Sequence, residues 1–417
     1  MQREPLRFGT GIMARLDELA RISQDPPALS RHYLTAEHKA AGNLIKRWME
    51  DAGMSARFDA IGNVVGRYEG DRPGLPALLT GSHFDTVRNA GRYDGMLGVV
   101  TPIACIAALH DEGVRLPFAI EVIAFADEEG VRFNATLLGS RAVAGTFDPA
   151  LLAKKDADGV TMAEALTRFG LDPARVGDAA HRRDEVLGYV EIHIEQGPVL
   201  LEEGRPVGVV TSIAGASRFA VRIDGLAGHA GTVPMSHRRD AAAAAAEMVL
   251  AIERRCSAGE TLVGTVGVLG VPNGATNVIP GSATFTIDIR AGDDAVRKAA
   301  VDDVLNEIAA IASRRRVDAT VTPQHDARAS PCSPAIIEHI AAQVRAEGIE
   351  PRYLASGAGH DGMAIADLTP IGMLFVRCGN GGVSHHPAET MTAGDADVGA
   401  RIFLNVLRNY PRQRPAR

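Results

Sequence analysis

The sequence predicts an α/β protein with a central mixed sheet flanked by helices, interrupted by an inserted α+β unit of ferredoxin-like layout. Three observations predict it. Helix-type and strand-type patterns alternate through the first half, the rhythm changes from about Ile213 to β-α-β-β-α-β, and the first pattern resumes near the C-terminus. At 417 residues the chain exceeds one ordinary core, so two domains are expected: 1–212 with 327–417, and 213–326.

Taken in order, "TAEHKAAGNLIKRWMEDAG" reads as an amphipathic helix closed by Gly53. "ARFDAIGNVVGRYEG" reads as two short strands about a turn, and "ALLTGSH" as a buried strand. "MLGVVTPIACIAALHDEG" is an almost wholly apolar helix with Gly113 as its stop, and "FAIEVIAFADEEG" a strand running into acids. In such sheets functional groups gather just past the carboxyl ends of strands, where His83 and Glu128–Glu129 fall. In the inserted stretch, "SRFAVRIDG" alternates like a half-exposed strand. "SHRRDAAAAAAEMVLAIERRC" reads as a long helix whose alanines allow close packing. "TLVGTVGVLGV" and "GSATFTIDIRAG" read as strands, "DAVRKAAVDDVLNEIAAIASRRR" as a helix and "VDATVTPQHDA" as a last strand. "IIEHIAAQVRAEG", "PIGMLFVRC" and "AGDADVGARIFLNVLRNY" then return to alternation.

Composition removes several classes. The apolar fraction is 46%, the charged fraction 23%, and the net charge of −7 is spread without a basic block. That argues against nucleic acid or an anionic membrane as partner. Cys105, Cys256, Cys332 and Cys378 are scattered, which suits neither a disulfide framework nor a thiolate zinc site. The amphipathic N-terminus lacks a secretion signal's apolar core, and no apolar run reaches the ~18 residues needed to span a bilayer. A cytoplasmic location is expected.

Groups able to ligate a metal recur at predicted strand ends: His83, Asp94, Glu128, Glu129, His193 in "YVEIHIEQG", and His385 and His386 in "GNGGVSHHPAE". Imidazole with carboxylate suits zinc, manganese, cobalt or nickel. Two such ions about 3.5 Å apart need a bridging carboxylate. Asp85, two residues past His83, is placed to orient that ring. Each of these residues alone reads more often as a polar residue at a loop edge; the set together is hard to reach by accident. Adjacent Glu128 and Glu129 diverge, so one can hold an ion while the other takes a proton from water. Without the neighbouring motifs the pair would read as a solvated acidic turn. No G-x-S-x-G occurs, and Ser82, His83 and Asp85 are too close in sequence for a serine triad.

The motifs "GSHFDTVRNAGRYDGMLGV", "FADEEGVRFNATLLGSRAVAG", "EIHIEQGPVLLEEG", "GLAGHAGTVPM", "ATNVIPGSATFTIDIR", "SGAGHDG" and "GVSHHPAE" resemble the hydantoinase/carbamoylase branch of the dinuclear-metal amidase and peptidase superfamily. That branch contains N-carbamoyl-L-amino-acid hydrolases, allantoate amidohydrolases, ureidoglycine-type hydrolases and β-ureidopropionases. The resemblance covers nearly the whole chain in order, and it implies a split catalytic domain with an inserted lid and dimerisation domain. It implies two divalent metal ions (zinc, manganese, cobalt or nickel), His83 and His193 on one, Glu129 and His385 on the other, and Asp94 between them. The matching ligand is the His directly after Ser, hence His385, with His386 as the fallback. Glu128 is then the general base. The exopeptidase relatives usually carry a carboxylate where His193 stands.

By the same resemblance His229 of "GHAGT" reaches the active site of a partner subunit and stabilises the oxyanion, which implies a homodimer; alone, it would read as a cap on the turn before the lid helix. Gln196, Asn277, Arg290 and the Gly359 backbone are implied to bind a small ureido-carboxylate substrate, with Arg218 a weaker candidate. On the residues alone, Arg290 shares a strand face with Thr286 and Asp288, either as surface or as a carboxylate clamp. Asp361 is left between a supporting role and a helix cap. The expectation is a metal-dependent amidohydrolase cleaving the ureido C–N bond of N-carbamoyl-L-amino acids or allantoate. The alternatives are a dinuclear-metal exopeptidase of dipeptidase or aminoacylase type and a non-catalytic small-molecule binding protein.

Overall fold

The computed structural model describes residues 6–259 and 261–412. The remaining residues of the expected domains, 1–5, Glu260 and 413–417, lie outside this description. The chain divides into two compact units, one of Met1–Thr211, Cys332–Leu354 and Ala358–Arg417, the other of Ser212–Pro331 and Ala355–Gly357.

The larger unit is built on a mixed sheet. Its strands run in the order Ser55–Phe58, Val64–Tyr68, Ala119–Phe125, Ala77–His83, Val186–Ile194, Ile371–Val376, Val207–Ile213. The four central strands pair parallel, and Val64–Tyr68 and Val207–Ile213 add antiparallel on either side. Every residue of the three strands Ala77–His83, Ala119–Phe125 and Val186–Ile194 is buried, as expected where helices cover both faces. The helix Met96–Asp111 packs its apolar body on this sheet, and Gly98 permits the contact: a Cβ there would lie 2.5 Å from the carbonyl oxygen of Ile192. The helix Ala36–Asp51 is capped by Thr35, whose hydroxyl accepts the His38 N–H, and ends at Gly53 with φ +80°. The parallel register brings His83 opposite Phe125 and His193 opposite Phe375. Four strands thus end together at one edge of the sheet, which is where this topology places ligand sites.

The smaller unit has its own core, in which Phe285, Ile287 and Ile289 pack with the helices Ala241–Cys256 and Asp294–Arg315. Its strands run in the order Asp318–Ala327, Gly215–Asp224, Ser282–Ala291, with Leu262–Thr265 and Leu269–Gly270 both on Ser282–Ala291. In chain order that is fourth, first, third, second, the ferredoxin-like arrangement. Two elements differ from expectation. The helix begins at Ala241 and not at Ser236, because Asp240 caps it by accepting the Ala243 N–H. Ahead of the cap, Arg238 turns its guanidinium back onto the carbonyls of Val233 and Ala230. The strand expected over Thr261–Val271 is broken after Thr265, where the Thr286 hydroxyl accepts the Val268 N–H in place of a ladder bond. Cys105, Cys256, Cys332 and Cys378 are all free and buried. Among the described residues no helix is long and apolar enough to cross a membrane.

Candidate metal centre

His83 is the last residue of its strand and His193 the last but one. Glu128 and Glu129 follow Ala119–Phe125 on a turn held by Asp85, whose two carboxylate oxygens accept the Glu128 N–H at 3.0 Å and the Glu129 N–H at 3.2 Å. Asp94 and His385 depart from the expected strand-end position. Asp94 stands just ahead of the helix Met96–Asp111, and His385 lies in a loop with φ +55°. The reversal after Asp94 requires Gly95, with φ +73°: a Cβ there would lie 2.5 Å from the His83 ring.

These segments converge. Ligand atoms of His83, Asp94 and His193 lie within 4.8 Å of one another, as do those of Asp94, Glu129 and His385, and those of His83, Glu128 and Glu129. The two oxygens of Asp94 face different ways. Oδ1 is 3.7 Å from His83 Nε2 and 3.4 Å from His193 Nε2. Oδ2 is 3.0 Å from His385 Nε2, which is also 3.5 Å from Glu129 Oε1. His386 points elsewhere, its Nδ1 accepting the Ala388 N–H.

The tautomers follow from the partners. His193 Nδ1 donates to the Ile194 carbonyl at 2.8 Å, leaving the Nε2 lone pair facing Asp94 and the Gly95 N–H. His83 Nδ1 faces the Asp85 carbonyl at 3.1 Å and its carboxylate at 3.6 Å, so its Nε2 also turns inward. Burial pushes the Glu128 carboxyl well above the usual range, reinforced by the charge of Glu129. Burial and Asp94 push Glu129 up to about 7. Burial would raise Asp94 too, but the His385 imidazole at 3.0 Å and the nearby rings of His83 and His193 hold it well below the usual range. Burial lowers His193 to about 4, whereas its hydrogen bond to Asp94 raises His385 to about 9. One carboxyl is thus set to hold a proton beside another that stays ionised, a division typical of catalytic sites.

Gln196 donates from Nε2 to Asp94 Oδ1 at 3.0 Å, from a backbone at φ +57°. Gly359 lies beside Glu128: a Cβ built on it would be 3.7 Å from Glu128 Oε1. Asp361 occupies the N-cap position of the single turn Gly362–Ile365 but makes no side-chain cap, so the helix-cap alternative fails; its buried carboxyl is pushed up to about 7. The other site candidates lie in the smaller unit. Arg290 grips Asp288 through Nε and Nη2 at 2.9 and 3.0 Å, and its Nη1 donates to the Gly357 carbonyl. Arg218, directly across the ladder, donates to the same carboxylate at 2.9 Å. Two guanidiniums on one carboxylate leave surplus positive charge. Asn277 precedes a two-stranded ribbon in which Val278 pairs with His229. Exposed His229 accepts the Gly231 N–H on Nδ1, so its neutral form carries a proton on Nε2.

Two residues escaped the sequence reading. The fully buried Arg31 donates from Nε to the Phe84 carbonyl at 2.7 Å, between His83 and Asp85. Glu389 accepts the backbone N–H groups of Tyr93 and Asp94. Glu389 closes the "GVSHHPAE" motif, the one signal that pointed toward it; Arg31 had none.

Residues 79–409 match the model of Peptidase family M20/M25/M40. The chain is 42% identical over 428 residues to allantoate deiminase 2 of Glycine max, with 95% of this chain and 88% of that protein covered. It is 41% identical over 400 residues to N-carbamoyl-L-amino acid amidohydrolase of Geobacillus stearothermophilus, covering 96% and 98%. The solved structure of a hydantoinase/carbamoylase-family amidase from Burkholderia multivorans superposes with a TM-score of 0.90 at 33% identity, covering 96% of this chain and 97% of that one.

Proposed function

The chain belongs to peptidase family M20/M25/M40, as an amidase of hydantoinase/carbamoylase type that hydrolyses carbon–nitrogen bonds of linear amides, and we propose that its substrate is a small carboxylate bearing a ureido group. N-carbamoyl-L-amino acids and allantoate both meet that description. The observation carrying the reading is Asp94, whose two oxygens face separate donor sets, His83 with His193 and Glu129 with His385. Imidazole Nε2 lone pairs and carboxylates suit a pair of zinc, manganese, cobalt or nickel ions, which His83, Asp94, Glu129, His193 and His385 would hold. Bound there, such ions would supply polarisation of the scissile carbonyl and acidification of a water.

The chain's own residues do the rest. Glu128, beside the donors but committed to neither set, takes the proton of the attacking water and delivers it to the leaving nitrogen. A carboxylate placed there can accept the proton and pass it on. Asp85 aims it, by fixing the Glu128 and Glu129 backbone. Within the smaller unit, the surplus charge of Arg218 and Arg290 over Asp288 suits a substrate carboxylate. His229, supplied by a second copy of the chain, offers its Nε2–H to the developing oxyanion.

The test is a panel of N-carbamoyl amino acids, allantoate, N-carbamoyl-β-alanine and dipeptides, following ammonia or amine release. Chelated protein should be inactive and recover with one of the four metals, and ureido acids should outpace dipeptides. Full activity after exhaustive metal removal overturns the metal reading, and faster dipeptide cleavage overturns the substrate class.

A further inference from the structure

We propose that Glu389 is a positioning residue, a clasp that fixes the loop carrying His385 against the loop carrying Asp94. The inference rests on the reading of those two side chains as metal donors. Glu389 is 3% exposed, and its carboxylate joins three points. Oε1 accepts two consecutive backbone N–H groups, of Tyr93 at 2.8 Å and Asp94 at 3.2 Å. Oε2 accepts the hydroxyl of Ser384 at 2.7 Å. Ser384 adjoins His385, and its oxygen lies 3.4 Å from Asp94 Oδ2.

The fit is close on both sides. A Cβ on Gly91 would fall 2.2 Å from the Glu389 carboxyl carbon, so the first loop can lie against this side chain only through a glycine. On the other side His385 holds φ +55°, a left-handed conformation that a β-substituted residue keeps only when its surroundings impose it. The turn beneath it is pinned by the Glu389 N–H on the His386 carbonyl and by Asn380 Nδ2 on the Ala388 carbonyl. Removing the clasp leaves every proposed donor in the chain while freeing the 3.0 Å approach of His385 to Asp94. The loss should therefore fall most heavily on the ion on the His385 side, with a smaller effect on the other through Asp94, which serves both sets. His83 and His193 are held independently, by Asp85 and the Ile194 carbonyl.

Calorimetric titration of metal-stripped protein with manganese, alongside thermal unfolding, tests this. Wild type should bind two ions. Folded Glu389→Ala should bind one ion about 10- to 100-fold more weakly, the usual cost of losing a partner behind a ligand, and the other with a distinctly smaller loss. Glu389→Gln should stay close to wild type, since an amide oxygen accepts the same two N–H groups and Ser384 can reverse its hydrogen bond. Equal binding of both ions by folded Glu389→Ala overturns the clasp alone, as does equal damage in Glu389→Gln and Glu389→Ala. If Glu389→Ala does not fold, Ser384→Ala decides: weakening chiefly of one ion upholds the clasp, and unchanged binding overturns it. A wild-type chain that binds no divalent ion overturns the metal reading and the clasp together.

Discussion

Glu128 and Glu129, neighbours with different work in the proposed mechanism, share one support: Asp85 accepts both of their backbone N–H groups and fixes the turn between them. Replacing Glu128 by Gln keeps the shape and removes the base. We expect kcat to fall about 100- to 10,000-fold with KM and bound metal unchanged, measured by steady-state kinetics and elemental analysis. Loss of metal instead would make Glu128 a ligand. At this scale the sequence was legible where chemistry and position coincide: a His or acid just past a buried strand reads as a site residue. It was silent on Glu389, whose partner Tyr93 lies 296 positions away. A side chain that binds backbone N–H groups so distant leaves no local spacing to find. The choice between His385 and His386 was equally hidden, since it turns on one backbone rotation and on the Ala388 N–H that occupies His386.

Among the elements, the strand Ala77–His83 is tightly constrained. Gly81 has φ +144°, and a Cβ there would lie 1.9 Å from the Ile123 carbonyl oxygen of the adjoining strand. Gly81→Ala should therefore cost on the order of 3 kcal/mol, seen as a lower urea midpoint. It should also weaken metal binding, because His83 lies two residues along. Strands and helices of this kind were readable because their burial is uniform or strictly alternating, as in Ser282–Ala291. The misjudged boundaries were set by side chains bonding to backbone, Asp240 as a cap and Thr286 in place of a ladder partner. Hydrophobic periodicity carries no trace of such bonds.

At the scale of the whole molecule, one buried group outside the candidate metal centre should contribute a loss of stability on the acid side. His38 is fully buried, stacked 4.2 Å from Phe84, with Nε2 on the Ala126 carbonyl. Burial lowers its pKa from 6.5 to about 3. The unfolded chain takes up a proton below 6.5 that the folded chain refuses until about 3, so stability is lost as pH falls through that window. The slope from one such group reaches about 1.4 kcal/mol per pH unit. Asp59, pushed up to about 6 by burial, acts oppositely over part of the range, as do Glu129 and Asp361, pushed up to about 7. Urea midpoints from pH 7 to pH 4 should flatten by up to that slope in His38→Gln; an unchanged profile would remove His38 as the cause. One feature of the metal centre bears on biosynthesis. Its donors begin at His83 and end at His385, on opposite sides in sequence of the unit Ser212–Pro331. During translation the proposed donors His83, Asp94, Glu129 and His193 all precede the unit Ser212–Pro331 and His385 follows it, so the set that includes His385 is completed later. On the proposed assignment one cation can be captured by His83, Asp94 and His193 from the first half of the chain, and the other only after the unit Ser212–Pro331 has been made.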